Sequence, residues 1–88
     1  MISPKNASYL LLAANPGFKI TGCFGYNGKF GNGYIFSIRP NNIPDDKQYF
    51  GGLFFVEKAN GKISGFVPTM DLDGLAEATA SHKIDLDT

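Results

Sequence analysis

The sequence predicts an α+β fold: an N-terminal helix, then a four-stranded, mainly antiparallel sheet of two hairpins, then a short C-terminal helix. Apolar residues recur at helical spacing near both ends, and period-two alternation fills the middle of the chain. Glycine-rich turns separate the alternating segments. The 88 residues suffice for one hydrophobic core, so we expect residues 1–88 to form a single domain.

Signals for the first helix lie close to the N-terminus. Ser3 can cap the helix, Pro4 suits its first turn, and Asn15-Pro16-Gly17 ends it. An apolar stripe at helical spacing is expected to face the core, and it consists of Ala7, Leu10, Leu11 and Ala14.

The first predicted hairpin joins strands over residues 18–26 and 34–39. The segment NGKFGNG, residues 27–33, is predicted as the turn, with three glycines that allow positive φ: Gly28, Gly31 and Gly33. Gly22 and Gly25 have no side chains and leave space above the first strand, and we expect the N-terminal helix to pack over them.

The second predicted hairpin joins strands over residues 53–58 and 62–67 around an Asn60-Gly61 turn. That turn pairs Phe55 with Phe66 and Ala59 with Lys62. The apolar residues then divide between two faces: Phe54, Val56, Ile63 and Val67 on one, Leu53, Phe55 and Phe66 on the other. Both faces of this hairpin are apolar near its base, so we expect the hairpin to be central in the sheet or covered on both sides.

A second helix is predicted over residues 71–80, with Thr69 or Asp71 as its cap. Gly74 weakens that helix by about 1 kcal/mol relative to alanine. Its expected inner stripe is Leu72, Leu75, Ala76 and Ala80, with Thr79 on the same side. In the tail, Ile84 and Leu86 are expected to dock on the body or add an edge strand.

No catalytic, metal or cofactor motif is found in the sequence. Gly28-Lys29 is followed by Phe30 instead of the serine or threonine of a phosphate-binding loop. The one histidine, His82, and the one cysteine, Cys23, are far apart, and Cys23 lies in an apolar run typical of a core residue. The sequence therefore predicts a protein that is not an enzyme. No apolar run could span a membrane, and we expect a cytoplasmic protein, or a virion protein if it is structural.

The second half of the chain resembles small bacterial and prophage αβ proteins of the immunity-protein type, over about residues 34–80. The matching residues are Val56, Lys58, Gly61, Ile63, Phe66, Pro68 and Leu72. The resemblance implies a small non-catalytic protein that binds another protein, as a virion accessory protein or an inhibitor. An immunity protein that neutralises a cognate bacterial toxin is the alternative.

The candidate contact surfaces are the loop after the second strand and the acidic C-terminal helix. The candidate interface residues are Asp45, Asp46, Tyr49, Phe50, Asp71, Asp73 and Glu77. A homodimer is a further prediction, in which the strand over residues 18–26 pairs with its copy and Lys19 limits that pairing.

Residues 22–38 also resemble a cold-shock-type sheet, at Asn27, Gly31, Gly33, Tyr34 and Ile35. This resemblance implies single-stranded nucleic-acid binding through an aromatic sheet face, with Phe24, Tyr26, Phe30, Tyr34 and Phe36 as stacking residues. Equal numbers of acidic and basic residues argue against a strong electrostatic grip on nucleic acid. Asn32 and Glu57 also stand where that family has an aromatic residue and a histidine.

Overall fold

The computed structural model describes residues 1–44, 46–49 and 51–86, which form one antiparallel sheet with its strands in chain order and a helix at either end of the chain. The elements are α1 (Pro4–Ala14), β1 (Phe18–Gly28), β2 (Gly31–Pro40), β3 (Leu53–Glu57), β4 (Ile63–Phe66) and α2 (Leu72–Ser81), with a 3-10 turn (Pro68–Met70) before α2. The predicted α+β arrangement is confirmed.

The sheet has a hydrophobic core on each face. On the α1 side the buried residues are Ala7, Leu11, Cys23, Tyr34, Phe36, Ile38 and Val56. On the α2 side they are Tyr26, Ile35, Phe55, Phe66 and Ala78. The strands of the second hairpin contribute to both clusters, so the hairpin is covered on both sides at its base. The alternative of a central hairpin was wrong, because β4 is the last strand of the sheet.

Both helices begin at predicted caps. The Ser3 hydroxyl oxygen accepts a hydrogen bond of 3.1 Å from the Asn6 N–H. Asp71 Oδ1 accepts one of 3.0 Å from the Gly74 N–H. Each cap satisfies a backbone donor that the first turn of a helix cannot satisfy itself.

The inner face of α1 differs from the predicted stripe. Ala7 and Leu11 are fully buried, whereas Leu10 is 45% exposed and Ala14 is also exposed. Ser8 takes an inner position instead. Its hydroxyl donates to the Lys5 carbonyl oxygen at 2.6 Å, so the polar group is satisfied within the helix.

The first hairpin is tighter than predicted. β1 and β2 pair as far as Gly28 and Gly31, so the turn consists of residues 29 and 30 and the predicted seven-residue turn is wrong. Of the three turn glycines, Gly31 alone has a positive φ, 122°. Gly33 lies within β2 for a different reason: a Cβ there would be 2.2 Å from the Val56 carbonyl oxygen.

The register of the second hairpin also differs from the prediction. Phe55 lies opposite Ser64, and Phe66 lies opposite Leu53. The Glu57 N–H donates to the Lys62 carbonyl oxygen at 2.9 Å, so a four-residue loop, not two residues, connects the strands. This shift of two residues keeps the side-chain parity, and the predicted faces are correct for all the apolar residues except Val67, which is exposed.

The inner face of α2 is rotated from the predicted stripe. Ala78 is buried and Leu75 half-buried, whereas Leu72 is 62% exposed and Ala76 and Ala80 are also exposed. The cause is the anchoring of Asp71 against β1, which brings Gly74 and Ala78 to the sheet. Gly74 accordingly lies so close to Asp71 that a Cβ would be 2.3 Å from its Oδ2.

The C-terminal tail adds to the outer edge of β1. The Gly25 N–H donates to the His82 carbonyl oxygen, and the Ile84 N–H donates to the Cys23 carbonyl oxygen, both at 2.8 Å. Ile84 and Leu86 pack on the α1-side core, as predicted. A Cβ at Gly25 would lie 3.6 Å from the His82 Cβ. The tail therefore packs over Gly25, and the expectation that α1 does so was wrong.

Gly22 is also not covered by α1. It follows a β-bulge between Ile20 and Gly22, and the nearest atom to a Cβ there would be Ser37 Oγ at 2.7 Å. The bulge brings this part of β1 close to β2, which explains a glycine inside a strand.

Candidate functional site

Asp71 joins the β1–β2 turn to the start of α2. Its Oδ2 accepts hydrogen bonds from the Tyr26 hydroxyl at 2.6 Å and from the Lys29 N–H at 3.1 Å. Asp71 as a whole residue is 6% exposed. The Tyr26 hydroxyl, followed by the N–H groups of Lys29 and Gly74, lowers the pKa of Asp71. Burial, followed by the bond to Asp71, raises the pKa of Tyr26. The result is a fixed geometry for the surface around this turn.

Four exposed apolar residues lie in the segments that Asp71 connects, the β1–β2 turn and residues 67–72, and we call them the apolar patch. Phe30 lies in the β1–β2 turn. Val67 directly precedes the 3-10 turn, Met70 ends it, and Leu72 begins α2. Their exposed fractions are 45%, 55%, 37% and 62%. Because Asp71 binds the residue before Phe30 and directly precedes Leu72, it holds the two halves of the patch together.

A groove of about 320 Å³ lies between the apolar patch and β4. Phe30, Phe55, Phe66 and Met70 form its apolar walls, and Ser64, Gly65, Glu57 and Lys62 complete the lining. The Phe30 and Phe66 rings meet edge to face, with centroids 6.2 Å apart. α2 packs mainly on β1, and beside the groove Ser64 and Gly65 of β4 are exposed. We call this the apolar groove.

A second, polar groove of about 250 Å³ lies beside Gly25 at the edge of β1. On one wall His82 Nε2 is 3.4 Å from Glu77 Oε1, and on the other Lys58 Nζ lies 5.6 Å from the centroid of the Tyr34 ring. Cys23 does not line it: the thiol is buried, and burial raises its pKa to about 11. This thiol is in the neutral form at ordinary pH and packs as a small core group.

The predicted acidic surface on α2 is present in part. Asp73 and Glu77 are exposed. Asp71 is not available for a partner, because its carboxylate is turned into the protein and bound by Tyr26. Its inclusion among the contact residues was wrong, since the sequence alone does not distinguish a buried N-cap from a surface carboxylate.

The predicted contact loop is tied to β2. The Arg39 guanidinium donates to the carbonyl oxygens of Ile43, Pro44 and Lys47. Within the loop Asp46 is exposed and Tyr49 is half-buried. Two further predicted contact residues, Asp45 and Phe50, lie outside the described residues.

The predicted stacking residues do not share a face. Phe24 and Tyr26 pack on the α2 side, Tyr34 and Phe36 on the α1 side, and Phe30 lies in the turn. Tyr26, Tyr34 and Phe36 are buried. The register explains this, because Tyr26 lies opposite Gly33 and Tyr34 lies opposite Gly25, so that each aromatic faces a glycine across the strands. The expectation of one aromatic sheet face was wrong.

Sequence reasoning missed most of the apolar patch. The sequence pattern predicts Val67 on a strand face and Leu72 on the inner side of a helix, and it predicts no role for Met70. A signal was present in residues 67–72, VPTMDL, where three apolar residues fit neither a period of two nor a helical stripe. Apolar residues without such a period are candidates for exposure.

Comparison with known proteins gave no match: no family model, no curated protein and no solved structure is significantly similar to this chain. None of the helices in the described part of the chain has the length and apolar character needed to cross a membrane. Within residues 1–44, 46–49 and 51–86, no three metal-ligating side chains come together.

Proposed function

We propose that this protein is a non-catalytic interaction module that binds another protein through the apolar patch and the apolar groove. The observation that carries the proposal is the exposure of Phe30, Val67, Met70 and Leu72 on adjoining elements, beside an open groove. In a chain of 88 residues the core is small, and each large apolar side chain contributes most when buried. A cluster of them at the surface is typical of a protein contact.

The energetics favour such a contact. Transfer of one large apolar side chain from water into an interface contributes about 1.5–3 kcal/mol. Asp71 and Tyr26 fix the turn and the start of α2 before binding, so less conformational entropy is lost when a partner docks. Phe30 is further fixed by its ring contact with Phe66. The patch therefore has the features of an interface hot spot.

The resemblance over residues 34–80 suggests the setting: a virion accessory protein or an inhibitor encoded by a phage, prophage or mobile element. An immunity protein that neutralises a toxin is the second candidate. Its supporting observation is the exposure of Asp73 and Glu77 on α2, beside Leu72 of the patch. Exposed carboxylates of this kind suit a basic partner such as a nuclease toxin.

Partner capture with matched variants tests the proposal. Wild-type protein, Leu72→Asp and the control Tyr9→Asp are used as baits in an extract of the native host. Tyr9 is an exposed apolar residue on α1, away from the patch. A partner captured by wild type is then purified and titrated by calorimetry. We expect Tyr9→Asp to bind like wild type and Leu72→Asp to bind at least about a hundredfold more weakly.

Equal affinity of Leu72→Asp and wild type for the purified partner would refute the patch as the contact surface. The immunity candidate makes a separate prediction for the same partner. If Asp73 and Glu77 supply most of the binding free energy, the double variant Asp73→Asn with Glu77→Gln weakens binding and reduces the salt dependence of the affinity. If the patch dominates, this variant binds nearly as wild type does.

A further inference from the structure

β4 is the last strand of the sheet, and among the described residues no strand pairs with its outer side. The backbone bond from Glu57 to Lys62 and the pairing of Phe55 with Ser64 show which groups face inward. Hydrogen-bonded and non-hydrogen-bonded pairs alternate along an antiparallel ladder. Ile63 and Gly65 therefore direct both their N–H and their C=O groups outward. They form a template for two more pairs of hydrogen bonds.

The space around this edge is open on the side of the apolar groove. Ser64 and Phe66 project to the groove face, where Ser64 is exposed. Gly65 faces the α1 side, where a Cβ would meet no atom within 4 Å, so the opposite face of this edge is open as well. A strand placed beside β4 would put alternate side chains over that face. The nearest of them would enter the groove between Phe66 and the Phe30–Met70 wall, whose volume of about 320 Å³ suits one large apolar side chain.

We propose that an extended segment of a partner protein, with apolar residues at alternate positions, adds to the free edge of β4 as a fifth strand and inserts one apolar side chain into the apolar groove. This inference rests on the proposed function and names its binding mode. Backbone hydrogen bonds to Ile63 and Gly65 supply the attachment, and the groove supplies the selection for an apolar residue.

The backbone template selects an extended segment over a helix. The N–H and C=O groups of a helix interior bond within the helix, so a docked helix would leave Ile63 and Gly65 without partners. An extended chain has the alternating donors and acceptors that this edge lacks.

A second copy of the chain suits this edge less well. Symmetric antiparallel pairing of β4 with its copy would match Ile63 with Gly65 and place Ser64 opposite itself. Lys62 of the copy would then lie opposite Phe66, and its ammonium would approach the apolar groove. A charged group against Phe30, Phe66 and Met70 costs desolvation, and Glu57 in the groove lining already lies opposite Lys62 of its own chain. A partner with an apolar residue at that position fits instead.

The charges around the groove predict weak salt dependence. Glu57 and Lys62 are opposite each other at one end of the groove, one of each sign. Their fields largely cancel at a distance, so the groove has no net charge to steer a partner. Binding through acidic α2 would depend strongly on salt, and the two modes are thereby distinguishable.

Two substitutions at one position isolate the edge. Gly65→Pro removes the outward N–H and leaves the inward β3–β4 bonds, because proline is tolerated on an edge strand whose N–H faces solvent. Gly65→Ala keeps the N–H and adds a methyl group in open space. Urea unfolding and an NMR spectrum of the backbone amides are used to check that both variants retain the fold.

The probe is a displayed library of short random peptides, selected on wild-type protein. We expect the selected peptides to show apolar residues with a period of two. They should bind Gly65→Ala as they bind wild type, and Gly65→Pro about tenfold more weakly. Their affinity should change less than about twofold between about 0.05 and 0.5 M NaCl. The amide protons of Ile63 and Gly65 should become protected from exchange in the complex.

Equal binding to Gly65→Pro, a helical period in the selected peptides, or wild-type dimers that Gly65→Pro abolishes would each overturn the inference. The partner captured under the proposed function separates the two proposals. If that partner loses affinity for Leu72→Asp but not for Gly65→Pro, the patch is the contact surface and strand addition is refuted. If Leu72→Asp has no effect, the proposed function itself fails.

Discussion

The hydroxyl of Tyr26 donates a hydrogen bond of 2.6 Å to Oδ2 of Asp71, 45 positions further along the chain. Tyr26 belongs to the α2-side core, and Asp71 caps α2. This bond, together with the one from the Lys29 N–H and the packing of Ala78, ties α2 to the sheet and sets which of its side chains face outward. Leu72 is exposed for that reason.

The contribution of Asp71 to stability is predicted to depend on pH. Its pKa in the folded protein lies below the usual 3.8, because Tyr26 and two backbone N–H groups bind the carboxylate. The stabilisation is therefore complete above about pH 4 and is lost as the pH falls through the lowered pKa. We expect Asp71→Asn to reduce Tm by about 4–8 °C at pH 7. The difference from wild type should shrink in acid.

Urea unfolding at a series of pH values measures this effect. Asp73→Asn is the control, because Asp73 is an exposed carboxylate on the same helix. The free energies of unfolding of Asp73→Asn and wild type should differ little at every pH. A difference between Asp71→Asn and wild type that is the same at pH 3 and pH 7, within about 0.3 kcal/mol, would show that the charge of Asp71 is not what stabilises the cap.

Gly74→Ala is predicted to destabilise the protein although alanine favours helices. By helix propensity alone the change would stabilise α2 by about 1 kcal/mol. A Cβ at this position would lie 2.3 Å from Asp71 Oδ2 and 3.0 Å from the Tyr26 ring. Asp71 is held by its hydrogen bonds and cannot move aside without losing them. We expect a net loss of about 1–2 kcal/mol by urea unfolding.

Ala76→Gly is the matched control for that prediction. Ala76 is exposed on the same helix, so the reverse change should cost about 1 kcal/mol through propensity alone. Both substitutions should therefore destabilise, although they are chemically opposite. Stabilisation by Gly74→Ala would mean that the contact between α2 and β1 can admit a methyl group at this position.

Two glycines of the first hairpin are predicted to differ in how much an alanine destabilises the protein. A Cβ at Gly33 would lie 2.2 Å from the Val56 carbonyl oxygen, a backbone atom within the sheet. We expect Gly33→Ala to lower the free energy of unfolding by about 2–3 kcal/mol. At Gly25 the nearest atom is 3.6 Å away, an ordinary contact, so Gly25→Ala should change it by less than about 1 kcal/mol. Equal losses at both positions would contradict this account.

Local signals in the sequence were sufficient for the elements but not for their pairing. Ser3 and Pro4 marked the start of α1, and period-two alternation located β1 to β4. The register of the second hairpin was wrong because Asn60-Gly61 suggested a two-residue turn, whereas Gly61 closes a longer loop with φ of 74° and an N–H bond to Glu57. Several loop lengths are compatible with one Asn-Gly pair.

The candidate surface was harder to predict for a related reason. Exposure of Leu72 depends on the rotation of α2 about its axis. That rotation follows from the contact between Asp71 and Tyr26, two residues that are far apart in the sequence. Burial of Tyr34 and Phe36 likewise depends on α1 and the N-terminal residues: the Tyr34 hydroxyl donates to the Ile2 carbonyl oxygen at 2.9 Å. Neither contact leaves a periodic signal.

Cys23 is predicted to resist thiol reagents in the folded protein. It is buried in the α1-side core beneath residues 82–86, and burial raises its pKa to about 11. About one thiol in a thousand is then ionised at pH 8, and reagent reaches it mainly when the tail or the whole domain opens.

We expect labelling by a chromogenic disulfide to be slow and to accelerate in urea. The double variant Cys23→Ala with Tyr9→Cys is the control, because its exposed thiol should react at once. Labelling of wild type as fast as this control would show that residues 82–86 do not protect β1.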